Sequence, residues 1–186
     1  MLFTRNMTVS FLLTVLVLTV LLFVVLASSA FGDTGKEVAN QLSDFNRMAF
    51  EMRSEAGTLK SITSNQRLSW HSHTYRLDAL REHVNTLGKT LAELETQKSA
   101  ATESQAMAIE QARPHLVSVA QNLTQAIELV RQDRSNVHRE EYAEAVNNIY
   151  VHANELRTKV DTILDYEATR MRLDKLELQL PSTAGG

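Results

Sequence analysis

The feature that most constrains this chain is a spacing. Apolar residues recur at alternating steps of three and four in four separate stretches, which is the period of one helix face and not the period of two that a half-buried strand needs. The first stretch runs Val38, Leu42, Phe45, Ala49, Met52, Ala56, Leu59, and the second Trp70, His73, Leu77, Leu80, Val84, Leu87, Leu91, Leu94. The third is Ile109, Ala112, Leu116, Val119, Leu123, Ala126, Val130, and the fourth Tyr142, Val146, Ile149, Ala153, Leu156, Val160, Ile163. Nothing alternates with period two. With 6 Gly and 2 Pro in 186 residues, the chain also lacks the turn-forming material of an all-β fold.

The punctuation between the stripes suits helices. Thr34-Gly35-Lys36-Glu37 and Thr102-Glu103-Ser104-Gln105 have the spacing of a capping box, in which the first hydroxyl and the fourth side chain satisfy otherwise orphaned amides. Ser61, Thr63, Ser64 and Asn65 mark a turn, and Glu140 and Glu141 suit the positive end of a helix dipole. Pro114 predicts a kink or a restart within the third helix, and Gly88 lies off the second stripe. The expected fold is all-α: an up-down-up-down four-helix bundle over residues 31–178, followed by a disordered tail at 179–186. The alternative is an elongated helical coiled coil in which the first two helices continue as one rod.

Ahead of the bundle, residues 1–30 hold one charge, Arg5, and from Val9 to Leu26 only Ser10, Thr14 and Thr19 interrupt a run of Val, Leu and Phe. About 18 such residues nearly cross a bilayer core, and Arg5 with the amino terminus favours the cytoplasmic side. Two fates fit this N-terminal hydrophobic helix. Ser28-Ser29-Ala30 offers the small residues that a signal peptidase reads before Phe31, and cleavage is the preferred reading. Left uncleaved, residues 8–27 anchor the chain in the membrane. Either way the remainder is expected to be exported, periplasmic or otherwise extracytoplasmic.

Motifs that carry chemistry are sparse. The chain has no cysteine, which excludes disulfides, Cys-ligated zinc and CxxCH haem attachment. It has no HExxH, no phosphate-cradling glycine loop and no GxSxG elbow. The residues three before the six histidines are Leu68, Trp70, Leu80, Ala112, Ser135 and Ile149, none acidic, so the Glu-x-x-His of a di-iron bundle is missing. A formal charge of −3 gives no reason to expect nucleic-acid binding. The chain is therefore read as a non-enzyme with no cofactor. The sequons at Asn6 and Asn122 fall in the leader and inside a helix, and are read as chance.

The histidines are the remaining candidates. In heptad register His83, His115 and His152 each precede an a position, and reflecting residue numbers about turns near residues 66, 100 and 134 puts all three near mid-height, with Met48 within a turn of His83. Antiparallel edges let only one pair meet directly, His83 with His115 or His115 with His152. A haem or metal site built from these imidazoles and the Met48 thioether is one reading. Flanking histidines that merely hydrogen-bond across helices are the commoner outcome, so no metal site is assigned. His73 differs because it occupies the stripe itself. It reads as a buried polar residue that fixes register, with a pH-sensing role as the alternative.

Arg67-Leu68-Ser69-Trp70-His71-Ser72-His73, followed by His83-Val84-Asn85 and Gly88-Lys89, resembles a pattern in a group of exported, all-helical bacterial proteins with no assigned activity. Pro114-His115-Leu116 and Glu141-Tyr142 fit it too, so the resemblance covers roughly residues 35–178. It implies an envelope protein and carries over no functional residue. The expected role is protein interaction or scaffolding in the cell envelope, through a protein partner and with a homodimer compatible. Ligand sensing or haem or metal binding outside the membrane is the alternative.

Overall fold

The computed structural model describes residues 35–65 and 67–179, so the hydrophobic segment at 1–30, the Thr34 cap and most of the tail lie outside the described residues. The described residues are all-α. Helix α1 spans 35–63, α2 Trp70–Thr96, α3 Glu103–Gln132 and α4 Glu140–Gln179. Short 3-10 turns at Lys98–Ala100 and Arg134–His138 join α2 to α3 and α3 to α4. No strand occurs among the described residues.

The stripes form the core. Every residue of the α1 stripe from Val38 to Leu59 is buried, as is every residue of the α3 stripe from Ile109 to Val130. On α2 the stripe is buried except for Trp70 and Val84, and on α4 except for Ile163; these three pack half-buried against the core. Burying a Leu, Ile or Phe side chain contributes about 1.5–3 kcal/mol. A stripe spaced by three and four lets one helix face collect that gain while the other stays in water.

The ends and turns follow the local chemistry. The Thr102 hydroxyl accepts from the Gln105 amide while the Gln105 side chain accepts from the Thr102 amide, completing the predicted capping box. Between α3 and α4, the Asp133 side chain accepts from the Ser135 amide, which holds its carboxyl below the usual range. The amide of buried Asn136 donates to the Leu129 carbonyl at 2.7 Å. Of the kink or restart expected at Pro114, the restart does not occur: α3 is continuous from Glu103 to Gln132. Pro114 lies on the exposed face, where water can reach the carbonyl that loses its amide partner, while Ala112 and Leu116 on the inner face stay buried.

Side-chain pairs give the register between helices. Arg76 of α2 reaches back to Glu55 of α1 at 3.0 Å, so the first two helices fold back on each other and do not continue as a rod. Asn46 meets Asp161, and farther along α1 Arg53 meets Asn154 and Tyr150, so numbers rise on α1 as they fall on α4. Glu95 pairs with Arg113 across α2 and α3. Thr102 bonds Glu167 across α3 and α4, while His115 farther along α3 meets Glu155.

Beyond Val160, the last buried residue, α4 keeps only partial cover, and from Met171 to Gln179 every residue is exposed. Tyr166, Met171, Leu173, Leu176 and Leu178 are therefore open to solvent. Among the described residues, no helix is long and apolar enough to cross a membrane.

Candidate functional site

The opposed register of α3 and α4 sets two histidines side by side. The imidazole rings of His115 and His152 lie 6.1 Å apart between centroids, tilted by 35°. Both turn Nδ1 toward one oxygen of Glu155, at 3.1 Å from His115 and 3.2 Å from His152. Glu155 follows His152 by one helical turn, so α4 supplies two of the three groups and α3 the third. The side chains are 19 %, 32 % and 44 % exposed for His115, His152 and Glu155, which places the cluster at the rim of the core with water on one side. One potential ligand atom from each residue lies within 4.8 Å of the other two. A carboxylate oxygen accepts, so the hydrogen bond with His152 uses the Nδ1–H tautomer of that ring, while His115 faces the same oxygen at ion-pair distance.

His83 does not join them. The contact of Glu95 with Arg113, and the shallow cleft between Leu91 and Leu116, put His115 about level with Leu91. His83 is about two and a half turns of α2 away. The physical reason is the connection: with the 3-10 turn at Lys98–Ala100 and α3 starting at Glu103, the effective turning point falls later than residue 100. The pairing of Glu55 with Arg76 instead puts His83 near the level of Met48, and both are half-buried. Met48 is in turn about two turns of α1 from the level of His152, since Arg53 faces Asn154. The structure thus joins His115 to His152 and leaves His83 and Met48 at another height.

Glu155 was not singled out from the sequence. In the Glu-x-x-His pattern the carboxylate stands three residues before the histidine, whereas Glu155 stands three residues after His152. A helix brings i and i+3 together in either order.

His73 makes a second, different polar center. It is fully buried on α2, with Nδ1 3.1 Å from the Tyr142 hydroxyl of α4 and the rings edge to face at 5.5 Å. Nε2 is buried without a partner among the described residues. Burial, and then the nearby His138, hold the His73 pKa below its ordinary value, and burial drives the Tyr142 phenol upward. Both groups are therefore neutral at physiological pH. Close by, Trp70 stacks on His71 at 3.6 Å and carries the Arg134 guanidinium over its ring at 4.2 Å. Tyr75 stays exposed beside Arg76.

No protein-family model, curated protein or solved structure matches this chain.

Proposed function

We propose that this chain is a non-enzymatic, exported helical bundle of the cell envelope with an interaction or scaffolding role. The apolar run from Val9 to Leu26 supports the address. The side-chain pairs that run in opposite senses between α1 and α2, α1 and α4, α2 and α3, and α3 and α4 support an up-down-up-down topology.

The observation that carries the interaction role is the overhang of α4. Tyr166, Leu173 and Leu176 follow one another by seven and three residues, the seam of a short coiled coil, yet they lie in water. The proposed occupant is the same segment of a second copy. Its flanks carry Asp165, Glu167, Asp174 and Glu177 against Arg170, Arg172 and Lys175, a near balance of signs that allows self-pairing without net repulsion.

Because the chain has no cysteine, single cysteines introduced into the full chain test this directly. In envelope fractions under mild oxidation, Leu173→Cys and Leu176→Cys are expected to give disulfide-linked dimers, and Glu128→Cys on the bundle is not. Monomers at every position, or a crosslink to a different protein, would overturn the self-pairing. Recovery of the chain in the cytoplasmic fraction would overturn the address.

A further inference from the structure

We infer that His115, His152 and Glu155 form a binding site for one borderline divalent transition ion, of which Zn2+ is the working example. The inference does not depend on the address or on the α4 overhang. It starts from ligand chemistry: two imidazoles and one carboxylate suit zinc, copper or nickel, whereas magnesium and calcium prefer all-oxygen sets. Two histidines and a glutamate are also a ligand set that zinc uses when it keeps a fourth position for water.

Geometry then supports a small ion. Bonds of about 2.0–2.1 Å in tetrahedral array separate neighbouring ligand atoms by about 3.4 Å. Here the two imidazole nitrogens stand 3.1 and 3.2 Å from the shared carboxylate oxygen, and one ligand atom from each residue lies within 4.8 Å of the others. Small rotations of three side chains on two packed helices would close them around an ion. Both nitrogens face a single carboxylate oxygen, which leaves that space to an ion and not to a porphyrin.

The protons balance simply. In the ion-free protein His152 Nδ1 donates to Glu155 and His115 Nδ1 faces the same oxygen; on binding, each Nδ1 gives its lone pair to the metal, any proton it carries passes to water, and a neutral ring takes one proton back from water at Nε2. The carboxylate exchanges its hydrogen bond from His152 for a metal bond. Side-chain exposure at Glu155 gives the ion an entry path and a water ligand.

The test uses the full chain in mild detergent, stripped with a chelator and titrated with ZnCl2 by calorimetry. Saturation at one ion per chain is expected, undisturbed by excess Mg2+. His115→Ala, His152→Ala and Glu155→Gln should each weaken binding by about tenfold or more. His83→Ala and His71→Ala should leave it unchanged. As a second readout, CoCl2 should give the visible absorption of a four- or five-coordinate site in the parent chain, lost in His152→Ala. No saturable binding, or binding that survives both His115→Ala and His152→Ala in chains with the parental helical spectrum, overturns the inference.

Discussion

Nδ1 of His73 on α2 and the hydroxyl of Tyr142 on α4 lie 3.1 Å apart, a fully buried contact between residues 69 positions apart in the chain. It is a polar link across a core otherwise lined by Leu, Ile, Val and Ala with Phe45 and Met52. A buried polar pair discriminates between registers, because sliding α4 by one turn would leave both groups without a partner.

Tyr142→Phe removes the hydroxyl and leaves His73 with neither ring nitrogen bonded. The expected loss of stability is about 1–3 kcal/mol, measured by urea denaturation. His73→Leu should also destabilise, by stranding the phenol. The double variant His73→Leu/Tyr142→Phe should cost less than the sum, since an apolar pair strands nothing. Strict additivity would mean that the two groups do not depend on each other.

The depressed His73 pKa has a pH consequence. Its folded value lies below the ordinary 6.5, because burial and then His138 penalise the charged ring. Near pH 6.5 and below, the unfolded chain takes up a proton that the folded chain refuses, so stability falls as pH drops through the window between 6.5 and the folded value. Above that window His73 is neutral in both states and adds no slope. Urea midpoints at pH 7.5 and 5.5 should therefore differ more in the parent protein than in His73→Leu. An equal difference would assign the slope to other histidines.

Much of this fold is legible as spacing. The α1 stripe from Val38 to Leu59 and the α3 stripe from Ile109 to Val130 are buried to the last residue, because a step of three or four leaves a helix no other face to present. The cap at Thr102 and Gln105 is legible for the same reason: it needs only local geometry. What escapes is long-range register. A reflection about a turn carries any error in loop position straight into the heights of the helices it joins. A turn near residue 134 brings His115 beside His152, as in the structure, whereas α2 and α3 turn back later than residue 100, which leaves His83 about two and a half turns away. Glu155 escaped for a different reason, since a carboxylate one turn after a histidine looks like any charge on a wet helix face.

Gly88 offers a simple gain. It sits within α2 on the exposed side, and a Cβ built there meets nothing within 4 Å. Gly88→Ala should stabilise by about 1 kcal/mol, through helix propensity and the smaller entropy of the unfolded chain. For a domain of this size that is about 3 °C in Tm, read by thermal circular dichroism. No change would mean that the second helix gains nothing from a better helix former there.

The start of α3 should be the more sensitive end. The Thr102 hydroxyl accepts from the Gln105 amide at 3.2 Å and donates to the Glu167 carboxylate of α4 at 2.8 Å, so one atom both caps α3 and ties it to α4 where cover over α4 thins out. Thr102→Ala should cost about 1 kcal/mol from the lost cap, with little added by the exposed bond to Glu167. Thr102→Ser keeps the oxygen and should retain most of the stability. Hydrogen exchange separates the roles: in Thr102→Ala, faster exchange is expected at the Gln105 and Ala106 amides, whereas amides near Ala126, remote from the cap, keep their protection. Faster exchange over the whole of α3 would mean that the cap holds the helix in place as well as closing its first turn.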